Sequence, residues 1–160
     1  MATLLLKHNW ILSVSVVLMV IIGCSQYDDG LIKHAVTGSV HVNGAPGPGV
    51  MVAFKNLDPS VTGNAAEPVA VTDQEGRFEL STNGAQDGAI EGEYAVAFFW
   101  QDQAGAVDFL RGKYGNFQKS TFRVQVGSED QEIPPFELTA KPDDVKAAMA
   151  DLTTRKRSAK

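Results

Sequence analysis

The sequence predicts an all-β domain, a seven-stranded antiparallel β-sandwich, and three observations carry that prediction. From Val36 onward apolar residues recur at every second position, the period of a strand with one buried face. Turn-forming clusters separate these runs at short intervals, and no run of helical period interrupts them before Ala140.

Taken in order, Val36, Gly38, Val40 and Val42 share one face of a first strand, with Thr37, Ser39 and His41 on the other. Asn43-Gly44 is a tight-turn dipeptide because both positions tolerate positive φ, and Gly47-Pro48-Gly49 bends the chain before Val50, Val52 and Phe54 resume the inward face. A polar loop over 56–67 leads to a third strand, Pro68 to Thr72. Asp73-Gln74-Glu75-Gly76 then turns the chain into Arg77-Phe78-Glu79-Leu80, with Phe78 and Leu80 inside. After a glycine-rich stretch over 83–92, the run from Glu93 to Trp100 is apolar on both faces, which predicts a central strand covered on both sides. Phe122, Val124 and Val126 alternate in a further strand, and Phe136, Leu138 and Ala140 form the last. Pro134-Pro135 has no amide hydrogen to give a ladder, so it belongs at a sheet edge or a strand start.

Beyond Ala140 the period changes. Val145, Ala148, Met149 and Leu152 fall at helical spacing, and Pro142-Asp143-Asp144 suits a helix start, so a short helix is predicted to end near Thr153. The remainder, with Arg155, Lys156, Arg157 and Lys160, reads as a mobile tail.

The amino-terminal segment has a different character. Lys7 lies in a short stretch without acids, and the run from Trp10 to Ile22, about 13 residues, is almost continuously apolar. That length fits the core of an export signal and falls short of the roughly 20 residues a helix needs to cross a bilayer. Ile21-Ile22-Gly23-Cys24 resembles the bacterial lipoprotein lipobox. The resemblance implies cleavage between Gly23 and Cys24, lipidation of the Cys24 thiol, and acylation of the new amino terminus. One acyl chain holds a protein to a membrane only marginally, whereas two or three make a lasting anchor. Cys24 is the single cysteine, so no internal disulfide competes for it. Ser25 follows, where an Asp would be the family's inner-membrane retention signal, so the resemblance implies the outer membrane. The alternative is an uncleaved signal anchor from Leu4 to Ile22, interrupted by Lys7 and His8.

The formal net charge is −5, and all 19 acidic residues follow Cys24, so loss of Lys7 with the signal takes it to about −6. A balance of that sign gives nucleic acid no basic face to bind. The expected organisation is a signal peptide over 1–23, a lipidated tether over 24–34, the sandwich over 35–140, and a short helix with a basic tail over 141–160.

Three segments of the sandwich resemble the carboxypeptidase regulatory-like domain: Val36-Thr37-Gly38-Ser39-Val40; Asn43-Gly44-Ala45-Pro46 with Gly49-Val50-Met51-Val52; and Thr72-Asp73-Gln74-Glu75-Gly76-Arg77-Phe78. Gly92-Glu93-Tyr94-Ala95-Val96 is similar to a later strand of that family, and Leu110-Arg111-Gly112-Lys113-Tyr114 with Ser120-Thr121 is similar to small bacterial lipoproteins built on it. The resemblance implies a transthyretin-like Greek-key sandwich. It does not extend to the chemistry of related enzymes. None of His8, His34 or His41 has a Glu three residues on, as metallocarboxypeptidase zinc ligands require, and the chain does not end in the Tyr-Arg-Gly-Ser type of sequence found in hydroxyisourate hydrolases.

No residues present themselves for catalysis. There is no Gly-x-Ser-x-Gly elbow, and a lipidated Cys24 leaves no thiol nucleophile. Asp73 and Glu75 lack the spacing of a calcium loop and read as an Asx turn; His34, His41, Asp28 and Asp29 share no short metal-ligand spacing. No cofactor or metal is expected. Aromatics offer a binding hypothesis: Trp100, Phe109, Tyr114 and Phe117 cluster around the long connection from Gln101 to Lys119, where stacking surfaces for a glycan or peptide are found on rigid sandwiches. Against it stands the structural alternative that Phe109 and Tyr114 pin the loop to the core. The functional expectation is a non-enzymatic, lipid-anchored envelope protein whose sandwich is a binding or spacer module. The alternatives are a carbohydrate- or peptide-binding lipoprotein using those aromatics, or an accessory subunit of an envelope complex.

Overall fold

The computed structural model describes residues 30–158; the signal segment, Gly23, Cys24 and most of the tether lie outside the described residues. Among the described residues nine strands and one α-helix follow in order: β1 (Val36–Val42), β2 (Ala45–Pro46), β3 (Met51–Asn56), β4 (Val69–Val71), β5 (Arg77–Glu79), β6 (Gly92–Phe99), β7 (Arg123–Val126), β8 (Gln131–Glu132), β9 (Phe136–Leu138) and α1 (Pro142–Ser158). They make two sheets. One is built around β1 from β2, β5, β8 and β9; the other runs β4-β3-β6-β7 and is antiparallel throughout.

The backbone of β1 shows how one strand holds four partners. Amides and carbonyls of successive residues point to opposite edges of a strand. Val40 uses its N–H and C=O on Gly76 and Gly47, and Val36 accepts from Leu80, so the even positions serve the edge shared by β2 and β5. Ala35 and Thr37 accept from Gln131 and Ile133, and Asn43 donates to Leu138, so the odd positions serve β8 and β9.

Two expectations are corrected here. The pairings of β1 with β8 and β9 are parallel, where an antiparallel sandwich was predicted. The chain leaves β7 in the opposite sheet and crosses at the end of the sandwich where β1 begins, so it runs alongside β1 in the same sense. Parallel neighbours need no helical crossover when the incoming strand arrives from the other layer. The strands among the described residues also number nine rather than seven. β2 is a two-residue arm formed by the Asn43-Gly44 turn, whose φ values of 55° and 78° are those of a tight hairpin. β8 and β9 follow one edge of β1 but are split at Pro134-Pro135, where the register slips: Thr37 faces Glu132 and Val40 faces Phe136, leaving two residues of β1 opposite three. Prolines without amide hydrogens favour such a break.

The inner faces alternate as the period predicts. Val36, Val40 and Val42 of β1 with Phe78, Phe136 and Leu138 meet Val52, Phe54, Tyr94, Val96, Phe98, Val124 and Val126 from the opposite sheet in one core. Phe98 of β6 spans the layers, its ring 5.0 Å from Phe136 and 5.2 Å from Phe122 in edge-to-face contact. β6 is interior, between β3 and β7, and Ala95 and Ala97 on its outer face are buried as well.

α1 is longer than expected. It continues to Ser158 through the segment read as a mobile tail, because Arg155 pairs with Asp151 one turn back and donates to the Gln101 carbonyl at 2.7 Å. Its core contact is Ala148, with Val145 half-buried, while Met149, placed by period on the same face, is exposed. In the polar loop after β3, Gly63–Ala66 forms a short 3-10 turn that the sequence did not announce.

The described chain therefore has two distinct ends. The tether enters beside Val36, near Asn56, Gly92 and Val126. At the other end lie the turns around 43–50 and 72–76, the connection over 100–122, and α1.

Candidate functional site

The connection after β6 is an ordered structure built on two aspartates. Asp102 accepts from the amides of Ala106 and Val107 through one oxygen, closing a small turn. Asp108 collects the amides of Trp100 and Leu110 on one oxygen and Gly112 on the other, at 2.7–3.1 Å. Such loop carboxylates replace the backbone partners that a strand would have given. Arg111 and Gly112 then take left-handed conformations, φ 54° and 70°, and the chain turns toward the start of α1.

Three side chains tie this connection to the last strand and the helix. Arg111 donates through Nε and Nη2 to the two oxygens of Asp144, at 2.8 and 2.5 Å. This arrangement holds the Asp144 carboxyl below its ordinary value, first through the hydrogen bonds from Arg111 and then, against a smaller effect of burial, through the charges of Arg111 and Lys141. Lys113 donates to the Thr139 hydroxyl at 2.5 Å while its ammonium stands 4.9 Å from the centre of the Tyr114 ring. The Tyr114 hydroxyl accepts from the Thr139 amide at 2.9 Å. Burial works to raise the Tyr114 phenol, but hydrogen bonds from Thr139 and Lys113 outweigh it and draw it below the usual tyrosine value.

The aromatics singled out from the sequence separate into two groups. Trp100 is 2% exposed; its indole N–H donates to the Pro48 carbonyl at 3.0 Å and its ring meets Phe109 edge to face at 6.2 Å. Phe109 is buried too. Neither ring presents an open face for stacking. Tyr114 and Phe117 are half-buried, and Tyr114 leans on Phe98 and Phe122. Of these rings Phe109 alone also lines a groove of about 500 Å³ between residues 109–113 and the start of α1. Its walls are mostly carbon, from Phe109, Leu110 and Pro142, and its rim carries Arg111, Lys113 and Lys141. Sequence reasoning found the loop but not these cations. The signal for them was the near-run Arg111-Gly112-Lys113, whose meaning depends on where Asp144 and Lys141 arrive in space.

The other polar residues weighed in the sequence have local partners. Asp73 accepts from the amides of Glu75 and Arg77 in an Asx turn, and the His41 ring lies 2.7 Å from a Glu137 carboxylate oxygen on the neighbouring strand. Among the described residues no group of three or more His, Cys, Asp or Glu side chains is placed to hold a metal ion, and no helix is long and apolar enough to cross a membrane. The lipidation and cleavage positions, Cys24 and Gly23, lie outside the described residues.

No protein-family model matches the sequence, and no curated protein matches it. Among solved structures, the chain is similar to the major pilin subunit of Bacillus cereus, at 14% identity with a TM-score of 0.41 over 68% of this chain and 30% of the pilin. It is similar to a DUF3823 family protein from Parabacteroides merdae, at 13% identity and TM-score 0.39 over 70% of this chain and 47% of that one. A third similarity is to a protein from Pseudomonas aeruginosa described as a carbohydrate-binding candidate, at 19% identity and TM-score 0.36 over 68% of this chain and 89% of that one. The chain thus spans less than half the length of the first two. Likeness at this level assigns no function.

Proposed function

We propose that this chain is a non-enzymatic, lipid-anchored protein of the bacterial cell envelope, held at the outer membrane by acyl chains on Cys24. Its sandwich, of the carboxypeptidase regulatory-like kind, serves as a binding or spacer module. One observation carries the reading: the only cysteine stands directly after an apolar core and a small residue, in Ile21-Ile22-Gly23-Cys24. Multiple acyl chains on that residue give the durable attachment that one chain does not.

The topology supports a consistent orientation. The tether enters at one end of the sandwich, and the loop over 100–122 with α1 caps the other, a strand length of about 20–25 Å away. An anchor at Cys24 turns that cap toward the envelope space or a partner. The test is fractionation of cells producing the wild type and Cys24→Ser, with mass spectrometry of the mature amino terminus. Lipid-modified Cys24 in the membrane fraction, and loss of membrane association in the variant, are expected. An intact leader with an unmodified thiol overturns the proposal.

A further inference from the structure

We propose that the groove at the capped end, between residues 109–113 and the first turn of α1, binds an acidic peptide segment that carries an apolar side chain. This deepens the binding-module reading, and depends on the lipid anchor only for the direction in which the groove faces.

Charge complementarity points to the occupant. Arg111, Lys113 and Lys141 surround the groove, and the one lining carboxylate, Asp144, is already engaged through both oxygens by Arg111. The pair does not hide the cation, since the Arg111 side chain remains 66% exposed. Lys113 is held in place by Thr139 and the Tyr114 ring, so little of its freedom is left to lose when an anion arrives. The groove also opens at the amino terminus of a 17-residue helix, where the dipole is set against the first-turn carboxylates of Asp143 and Asp144. The capped end as a whole also carries Asp73, Glu75, Asp102, Asp108, Asp143 and Asp151, so it is the placement of the three cations around the groove that favours an anion there.

The walls decide between kinds of anion. A polyanionic glycan presents hydroxyls along its whole length and gains little from the carbon that reaches the groove surface, chiefly Pro142 and Ala140 with the edges of Phe109 and Leu110. An acidic peptide sets a carboxylate against the cations and lays an aliphatic or aromatic side chain on carbon, the combination that gives peptide grooves both steering and affinity.

The experiment uses the full chain in a non-ionic detergent and a fluorescein-labelled octapeptide of alternating Glu and Leu. A Gln-Leu octapeptide and polygalacturonate serve as the alternative probes. Saturable binding of the Glu-Leu peptide is expected, weakening as salt is raised. Binding should fall about tenfold in Lys113→Glu/Lys141→Glu and in the milder Lys141→Glu by less, with no change in Lys55→Glu on the far side of the molecule. Circular dichroism of each variant confirms folding, and the single Lys141→Glu, an exposed position, keeps the test valid if the double variant unfolds. No saturable binding, equal binding of the Gln-Leu peptide, preference for polygalacturonate, or an unchanged affinity in a folded Lys141→Glu each overturns the proposal. Repeating the titration with Cys24→Ser separates the two readings, because peptide binding by a protein released from the membrane leaves the groove intact whatever becomes of the anchor.

Discussion

Asp144, in the first turn of α1, receives Nε and Nη2 of Arg111 on its two oxygens, so a single residue of the loop fixes the start of the helix in position and orientation. Bidentate guanidinium–carboxylate geometry is directional in a way that one lysine contact is not. The pair also makes helix docking sensitive to acid. Asp144 titrates below its unfolded value of 3.8, so the ionised form contributes its full stabilisation above that pH and loses it as pH falls through the lower folded value. Asp144→Asn is expected to weaken helix docking at neutral pH and to flatten the acid limb of the stability curve below about pH 4. Urea unfolding from pH 2 to 7 checks this, and an unchanged acid limb contradicts it.

Trp100 anchors the same end of the molecule from beneath. Removing its buried ring in Trp100→Ala should cost about 3–5 kcal/mol, through lost burial and the cavity left against Phe109. Trp100→Phe keeps most of the apolar volume but strips the Pro48 carbonyl of its donor, for about 1–3 kcal/mol. Chemical denaturation measures both. If Trp100 were instead a ligand platform, its replacement would change affinity without such losses of stability.

The sequence made the inner faces legible because strand period is a local signal: Val36, Val40 and Val42, or Phe122, Val124 and Val126, announce burial with no knowledge of their partners. It did not show that β8 and β9 run parallel to β1, since pairing direction depends on which layer the chain comes from. At the site, local aromatic content identified the right loop, but the rings serve as core. The cationic rim is assembled from residues 111, 113 and 141, and no spacing rule connects positions brought together by the return of β9. Lipidation rests on residues before Gly30, and the fold of the described residues neither adds to it nor subtracts from it.

Gly88 gives a sharper test of backbone geometry. It sits at φ +78°, and a Cβ there would come within 1.9 Å of the His34 carbonyl oxygen. That carbonyl is paired with the Ala89 amide in the bridge that fastens the entry of the chain to the sandwich. Gly88→Ala therefore meets both a disfavoured dihedral and an immovable backbone atom, and should lose more than about 1 kcal/mol. Hydrogen exchange at His34 and Ala89 should accelerate more than exchange in the middle of β6. Equal protection in the variant would show that the bridge tolerates a side chain.

The final turns of α1 depend on a single arginine. Asp151 and Arg155 pair at i,i+4, which supports an exposed helix by about 0.2–0.5 kcal/mol, and Arg155 adds a hydrogen bond to the Gln101 carbonyl. Arg155, Lys156 and Arg157 also sit where the helix dipole favours cations. Asp151→Asn removes the pair but leaves the contact with the loop, whereas Arg155→Ala removes both. Amides over 153–158 should thus lose modest protection in Asp151→Asn and considerably more in Arg155→Ala, where the amides of the connection around Gln101 should loosen as well. Exchange rates that change equally in the two variants would mean that the helix end is held by its own turns and that the bond to Gln101 contributes nothing.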